Sequence, residues 1–281
     1  MKKVALFLSF LCISLSVLAQ SADSIAFVSA RRYKLRLKRA EGYTLSAKIF
    51  NAPQTISVIK YSPKLFSLSV IQPAERTRVS EIAEQESAQF AINAGYWNRN
   101  DMPSTYVKSR GVELSFTPPG MLPRVNGLLL MHDSGIEILR SEDAPDYPSL
   151  VDRLNKYENV LACGPVLIDD GVKMSYNYTA SFFARRHPRS MIGCDKDGNI
   201  YLVVVDGRAK GNAAGMNIKE ITELCSWLGM VEALNLDGGG SSTLWSRKYG
   251  VINYPCDNRT FDHKGERKVS SALVVNSKKR R

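Results

Sequence analysis

The sequence is poor in the residues that mark several common classes of enzyme. Histidine occurs only three times in 281 residues, and no Cys-x-x-Cys or Cys/His pair has the spacing of a zinc site. No Gly-x-Ser-x-Gly motif sets a serine on a nucleophile elbow. These absences argue against a zinc enzyme and against a serine hydrolase of that type, and the sequence predicts neither a metal nor a cofactor.

Long apolar runs are absent except at the N-terminus. Residues 1–3 are basic at two positions, residues 4–18 are apolar, and Ala19 follows, which is the pattern of a signal peptide at 1–19. We expect cleavage near Ala19 and export to the periplasm or the extracellular space. Beyond the leader no stretch is long and apolar enough to span a bilayer.

Acidic residues are scarce relative to basic ones. The chain has 27 Asp and Glu against 38 Lys and Arg, a formal charge of +11. A basic exported protein suits an anionic partner, so we expect a phosphorylated or anionic glycan as substrate. No basic motif is interleaved with aromatics, so no nucleic-acid partner is expected, and the sequence indicates no oligomeric state. The basic runs at 31–34 and 278–281 are interpreted as solvated tails.

Four cysteines remain after the leader: Cys163, Cys194, Cys225 and Cys256. An even number in an exported protein permits two disulfides. Their flanking residues share no pattern, and Cys225 falls on the apolar face of a predicted helix. We therefore favour free thiols over bridges.

The mature chain divides into a β-rich region at 20–88, a larger domain at 89–276 and a basic tail at 277–281. Segments 43–50, 54–61 and 65–71 have the composition and alternation of strands, and we interpret them as an N-terminal antiparallel meander. A helix is expected over 78–87, because Val79, Ile82 and Ala83 would share one face.

A strand–helix–strand unit is predicted near the C-terminus. Residues 200–205 form a buried apolar strand, residues 217–228 have helical apolar spacing with Gly229 as the C-cap, and residues 231–236 form the next strand. A helical crossover makes the two strands parallel. This βαβ unit places Asp206 and Asp237 at the carboxyl ends of strands, where open α/β sheets bind ligands.

The most specific motif is Leu234-Asn-Leu-Asp-Gly-Gly-Gly-Ser-Ser242, a strand that ends in a carboxylate and enters a glycine turn. Three glycines let the backbone adopt positive φ and let a ligand approach closely. Exposed amides in such a turn form a nest for an anion. The alternative is a tight turn in which Asp237 bonds its own backbone.

Two aspartates at sibling strand ends suit acid–base work on a glycosidic bond. Neighbouring strands would set them about 4.8 Å apart and one intervening strand about 10 Å, both within the range that glycosidases use. Asn93 ends another apolar strand and is a candidate to line the same site as Asp206 and Asp237. Glu220 stands three residues after Asn217, which also fits a capping box. Arg208 follows a buried strand, where an arginine commonly clamps carboxylate or phosphate.

These residues resemble the phosphodiester glycosidase family. The resemblance runs in family order from about residue 90 to residue 275, through Ala91-Ile-Asn-Ala-Gly-Tyr96, Gly164-Pro-Val-Leu-Ile168, Arg189-Ser-Met-Ile-Gly193, Val205-Asp-Gly-Arg208, the glycine block and Glu266-Arg-Lys-Val-Ser-Ser-Ala-Leu-Val-Val275. It implies an α+β fold with a mixed β-sheet core. It also implies hydrolysis of a sugar-1-phosphodiester to free sugar and phosphomonoester, with α-N-acetylglucosaminyl diesters among diverse candidate substrates.

On this basis we assign candidate roles to individual residues. The catalytic candidates are Asp237, Asp206 and Glu220. The substrate-binding candidates are Asn93, Gly95, Gly164, Arg189, Arg208, Asn235, Gly238, Gly239, Gly240, Ser241 and Ser242. Two alternative functions stay open: a non-catalytic binding module for anionic envelope glycans, and a metal-assisted phosphodiesterase that cuts on the other side of phosphorus.

Overall fold

The computed structural model describes residues 21–98, 100, 102–116, 124–140 and 152–279. The described helices are α1 (Ala22–Ser29), α2 (Val79–Gln85), α3 (Ser181–Ala184) and α4 (Ile218–Trp227), with a 3₁₀ turn at Gly239–Ser241 and further helical residues at 152–155. The predicted leader at 1–19 lies outside the described residues. Among those described, no helix combines the length and hydropathy needed to cross a membrane.

The described strands form three antiparallel sheets. The first has the order β1 (Tyr33–Lys34), β2 (Glu41–Ile49), β3 (Ala52–Tyr61), β14 (Ile200–Val205), β13 (Arg189–Asp195), β15 (Met230–Asn235), β11 (Val166–Asp169), β12 (Val172–Lys173). The second has the order β7 (Val112–Ser115), β6 (Val107–Ser109), β10 (Asn159–Cys163), β8 (Gly127–His132), β9 (Gly135–Arg140). The third has the order β17 (Gly250–Val251), β16 (Leu244–Ser246), β5 (Phe90–Asn93), β18 (Ala272–Ser277), β4 (Phe66–Ile71).

The predicted crossover is present, with one strand inserted between its two parallel strands. β14 and β15 both pair antiparallel with β13, so they run in the same direction as second neighbours. α4 connects them and begins as expected, with Asn217 and Glu220 forming a reciprocal capping box. The α+β class is therefore confirmed. Hydrogen-bonded neighbours in the sheet are antiparallel, and the parallel strands β14 and β15 are separated by β13.

Only two of the three predicted N-terminal strands form a hairpin. β2 and β3 pair along their whole length, but β4 pairs instead with the C-terminal β18 in another sheet. β3 also pairs with β14, which belongs to the larger domain. Strands of the 20–88 region and of the 89–276 region are thus members of the same sheets, and the division between them describes sequence resemblance rather than separate packing units.

Apolar residues cover both faces of the large sheet. On β14, Leu202 and Val204 face a core shared with the other two sheets, while Val203 and Val205 face a second core under α1 and α4. α4 buries Ile218, Ile221, Leu224 and Cys225 completely. Each large aliphatic side chain buried in this way contributes about 1.5–3 kcal/mol. This packing fixes the strand ends that carry Asp206 and Asp237.

The interpretation of residues 31–34 as a solvated tail is wrong. Tyr33 and Lys34 form β1 and pair with Thr44 and Tyr43 at the edge of the large sheet. At the other terminus the Lys278 ammonium donates to the carbonyl of Pro63 at 2.8 Å. The preference for free thiols is confirmed, because Cys163, Cys194 and Cys225 are buried and unbridged and Cys256 is a half-buried thiol.

Candidate active site

The ends of β5 and β15 meet through the side chain of Asn93. Asn93 is fully buried; its Nδ2 donates to the backbone oxygen of Asp237 at 2.6 Å, and its Oδ1 accepts from Ser190 Oγ and from the Thr243 amide. The Asp237 amide in turn donates to the carbonyl of Ala94. Asn93 therefore fixes both ends of the turn that follows β15, and it does so from a position without access to a ligand.

Asp237 is the accessible carboxylate of the site. Its side chain is half-buried, and Oδ1 accepts from the Gly238 amide at 2.9 Å. Burial raises the pKa of Asp237 to about 6, and the Ser241 hydroxyl, the Gly238 amide and the charges of Arg267 and Arg189 offset part of the shift. At neutral pH the carboxylate is mostly ionised but poorly solvated, which suits a base or a nucleophile.

In the glycine turn, residues 238–242, most of the backbone amides donate hydrogen bonds to acceptors within the protein. Its amide bonds are Gly238 to Asp237 Oδ1, Gly239 to the Pro188 carbonyl, Ser241 to the Gly238 carbonyl and Ser242 to the Gly239 carbonyl. Among the described residues, the Gly240 amide alone of these five has no acceptor. The predicted nest of free amides is thus reduced to one donor, flanked by the buried hydroxyls of Ser241, which acts on Asp237, and of Ser242.

Two guanidinium groups lie against this turn. Gly239 has φ 65°, and a Cβ there would be 3.0 Å from Arg208 Nη2. A Cβ on Gly240 would be only 2.5 Å from Arg267 Cζ. Arg267 is oriented by Asp257, whose Oδ1 accepts from Nε and Nη2 at 2.9 and 2.6 Å. The positive φ of Gly239 favours glycine there, and a side chain at either position would have to displace an arginine side chain.

Asp206 lies close to the turn but is almost inaccessible. The residue is 1% exposed; Oδ1 accepts from Asn253 Nδ2 and from the Tyr254 amide, both at 2.9 Å, and Oδ2 has no partner among the described residues. Burial raises the pKa of Asp206 to about 7, opposed by these two donors and with no contribution from another charge. Asn253 also donates to the Ser242 carbonyl. Asn253 therefore ties Asp206 to the end of the glycine turn, and no hydrogen bond among the described residues joins the two carboxylates.

Arg189 and Glu220 are anchored in the protein. Arg189 is 2% exposed, and Nε and Nη2 donate to the carbonyls of Met216, Phe182 and Arg185. Burial lowers the pKa of Arg189 to about 10, so it remains a cation behind the turn. Glu220 caps α4 and pairs with Arg186, which occupies both of its oxygens.

The other predicted binding residues support the site from within. Asn235 Nδ2 donates to the Tyr96 hydroxyl, to the Gly164 carbonyl and to the Leu236 carbonyl. A Cβ on Gly164 would be 2.7 Å from the Arg124 carbonyl, and one on Gly95 would be 3.0 Å from Leu161 Cδ1. Gly95 and Gly164 therefore permit close packing beneath the turn.

Sequence reasoning missed several residues that the fold brings to the turn. Arg267 lies over Gly240, Asn253 holds Asp206, and Cys256 Sγ approaches the Gly239 carbonyl at 3.8 Å. His187 Nδ1 is 3.3 Å from Arg208 Nη2, and burial together with the nearby arginines lowers the pKa of His187 and favours its neutral form. Two of these residues carried a signal. Arg267 stands in the closing segment that resembles the family, and His187 precedes a proline among arginines, where a structural and a catalytic role were equally open.

Solved structures share this fold at low sequence identity. A hypothetical protein from Synechocystis has a TM-score of 0.68 at 19% identity, covering 87% of this chain and 63% of that one. The zebrafish N-acetylglucosamine-1-phosphodiester α-N-acetylglucosaminidase catalytic domain, auto-inhibited by its pro-peptide, has a TM-score of 0.64 at 16% identity and 92% coverage of both chains. A candidate exported protein of Burkholderia pseudomallei K96243 has a TM-score of 0.61 at 16% identity, covering 81% of this chain and 75% of that one.

Sequence comparison gives a more specific assignment than the fold does. The chain is 25% identical over 169 residues to the SPbeta prophage-derived uncharacterized protein YomE of Bacillus subtilis strain 168. The aligned region covers 59% of this chain and 26% of that relative. The family model for phosphodiester glycosidases matches residues 86–276, which include every strand end and arginine of the candidate site. By this match over most of its length, the chain belongs to the phosphodiester glycosidase family.

Proposed function

We propose that this protein is an exported glycosidase that hydrolyses a sugar-1-phosphodiester to free sugar and a phosphomonoester. One observation carries the proposal: the accessible Asp237 carboxylate stands at the head of a glycine turn whose second and third glycines lie under Arg208 and Arg267. A carboxylate beside an anion-binding surface is what cleavage of a sugar–phosphate bond requires.

Each part of the turn has a chemical task in this proposal. The phosphodiester lies against Arg208 and Arg267, with the Gly240 amide as a further donor to a phosphate oxygen. This places the anomeric carbon on the side of Asp237. Arg267 is close enough to influence the pKa of Asp237, so it also acts on charge that develops at the reacting bond.

The reaction breaks the bond between the anomeric carbon and the bridging oxygen. Asp237 either removes a proton from the attacking water or attacks the anomeric carbon itself, and a water then completes hydrolysis. The electron pair of the broken bond leaves on the phosphate, where Arg208 and Arg267 stabilise the added charge. A phosphate leaving group needs little protonation, so a second exposed acid is not required, and we assign Asp206 to positioning of the Asn253 segment.

Product analysis in labelled water tests this proposal. The purified protein is incubated with UDP-N-acetylglucosamine and UDP-glucose in water enriched in heavy oxygen. Cleavage at the anomeric carbon yields free sugar that carries the label and unlabelled UDP. Cleavage at phosphorus would yield sugar phosphate and UMP with label in a phosphate group, and would support the phosphodiesterase instead. Absence of any product across a wider set of sugar-1-phosphodiesters would leave only a binding module.

Asp237→Asn is the decisive variant. We expect turnover to fall by about 10³-fold, since acid–base groups contribute in this range, while the protein stays folded and its unfolding temperature does not fall. Asp197→Asn is a matched control, because Asp197 is an exposed turn residue whose carboxylate pairs with the neighbouring Lys196. Full activity in Asp237→Asn would remove Asp237 from the mechanism.

A further inference from the structure

A second cationic region lies away from the glycine turn. A groove of about 290 Å³ is lined by Arg36 and Lys38 from the segment before β2 and by Arg247 and Lys248 from the turn after β16. Its eight lining residues include these four cations and no acidic residue. We call it the basic groove.

The four cations of the basic groove are not neutralised by the protein. All four are exposed, and within the ranges that the structure describes no carboxylate comes within 4.0 Å of their charged groups. The Arg247 Nε donates to the Ala88 carbonyl at 2.9 Å, which leaves both terminal nitrogens of that guanidinium available. Like charges held together in this way repel one another, and a bound anion would relieve that repulsion.

The walls of the basic groove are held in place before any ligand arrives. The Arg36 amide donates to the Tyr249 hydroxyl at 2.9 Å, and the Lys248 ammonium donates to the Arg36 carbonyl at 3.1 Å, so the two walls are hydrogen-bonded to each other. Leu37 packs on the main core, and its Cδ1 lies so close to Gly42 that a Cβ there would be 2.6 Å away. Fixing Leu37 directs its neighbours Arg36 and Lys38 outward, and a preformed site loses less entropy on binding.

The basic groove and the glycine turn lie at opposite ends of the same two strands. On β5, Asn93 contacts the turn and Phe90 lines the groove; on β16, the strand leads from the turn to Ser246, which also lines the groove. Phe90 and Asn93 are three residue steps apart, which is about 10 Å of strand. The groove and the turn are therefore separate regions that share no residue.

We propose that the basic groove is a binding site for an anionic glycan polymer, meaning a polysaccharide whose units carry phosphate groups. Its concave shape favours a chain laid along it over a flat surface, because the apolar residues Phe90 and Leu37 are recessed and do not protrude as a membrane anchor would. The site works independently of the reaction and holds the protein on the polymer. It does not depend on the proposed hydrolase activity.

Binding to dextrans of matched size tests the proposal. Phosphorylated dextran should bind the full chain and uncharged dextran should not, as measured by biolayer interferometry or fluorescence anisotropy. Affinity should fall as salt rises, because binding releases counterions from the polymer. The double variant Arg247→Gln with Lys248→Gln should weaken binding at least tenfold and reduce the slope of log Kd against log salt by about one per charge removed.

The control removes the same charge elsewhere. Lys48→Gln with Lys219→Gln neutralises two exposed lysines outside the groove, and it should change affinity less than twofold. Equal weakening by both pairs would show that net charge alone binds the polymer and would overturn the site. Tighter binding to phosphatidylglycerol vesicles or to a single-stranded oligonucleotide than to phosphorylated dextran would overturn the choice of partner. Turnover of a UDP-sugar should be unchanged in the groove variant, and its unfolding temperature should fall only slightly, because two hydrogen bonds to backbone carbonyls are lost.

Discussion

The molecule presents two clusters of cations with opposite surroundings. At the glycine turn, Arg267 is bonded to Asp257, and its charge also acts on Asp237. In the basic groove, Arg247 and Lys248 have no described carboxylate within 4.0 Å. Arg267 in the first cluster is paired, partly buried and oriented, whereas Arg247 and Lys248 in the second are exposed and have no described acid beside them.

This contrast separates chemistry from attachment. Cations that are held beside a poorly solvated carboxylate can act on charge as it develops, and they cost no reorganisation when the bond breaks. Exposed cations without acids attract an anionic polymer from a distance, in a manner that salt weakens. A protein that combines both can hold a charged polymer at one end of a sheet and cut a phosphodiester at the other. The following predictions test whether the two clusters differ as this view requires.

The largest difference should appear on replacing one arginine of the glycine turn. Arg267→Gln removes the charge over Gly240, and we expect kcat/KM for a sugar-1-phosphodiester to fall by about 10²-fold or more, the usual cost of losing one preorganised donor. Steady-state kinetics with a UDP-sugar measure this. Arg247→Gln in the basic groove serves as the comparison, because it removes equal charge and should leave kcat/KM for the same small substrate within twofold.

An equal loss of kcat/KM in both variants would contradict the separation of the two clusters. It would mean that the overall positive potential of the protein, and not the position of Arg267, attracts the substrate. Measurement at two salt concentrations distinguishes the cases, since a long-range attraction weakens with salt and a direct contact with a half-buried cation weakens less.

The second prediction contrasts the two aspartates through stability. The pKa of Asp206 is about 7 in the folded protein and near 3.8 when unfolded, so the folded state prefers the protonated form. Its stabilisation is complete below about pH 4 and is lost as pH rises through 7. At 1.36 kcal/mol per pKa unit the loss is about 4 kcal/mol. Asp206→Asn cannot titrate, so its urea unfolding free energy should gain on the wild type by about this amount between pH 4 and pH 8.

Asp237→Asn should show the same trend at lower pH and with smaller size, because the folded pKa of Asp237 is about 6. The unfolding free energy of Asp237→Asn should stop rising relative to the wild type near pH 7. That of Asp206→Asn should keep rising relative to the wild type above pH 7. If the unfolding free energy of Asp206→Asn stays parallel to that of the wild type from pH 4 to pH 8, the buried Asp206 carboxylate does not titrate as its surroundings indicate.

The strand ends and the crossover could be predicted from the sequence because their signals are local. The apolar run before Asp206, the Asn217–Glu220 capping box and Gly229 after α4 each lie within a few residues of the structure that they specify. The pairing of β4 with β18 could not be predicted, since it joins segments about 200 residues apart and any exposed strand edge would satisfy the same alternation pattern.

The roles of the site residues were harder to predict than their convergence. The sequence shows that Asn93, Asp206 and Asp237 end strands, but it does not show how deeply each lies. Burial depends on Asn253 and Tyr254, whose donors close over Asp206 from a loop with no recognisable motif. Arg189 looked like a phosphate ligand because of its charge, yet backbone carbonyls from two other segments take its donors.

The smallest effect concerns the thiol at the edge of the glycine turn. Cys256 Sγ is 3.8 Å from the Gly239 carbonyl and 4.0 Å from Arg208 Nη1, and both contacts are weak because sulfur is a poor hydrogen-bonding atom. Cys256→Ser should therefore change kcat/KM less than twofold.

Iodoacetamide should modify Cys256 before Cys163, Cys194 or Cys225, which are buried. Burial raises the pKa of Cys256, partly offset by Arg208, so modification should be slow at neutral pH and accelerate under alkaline conditions. The added group should slow turnover in the wild type and have no effect in Cys256→Ser, as peptide mapping and kinetics would show; inactivation of both alike would place the sensitive thiol away from the turn.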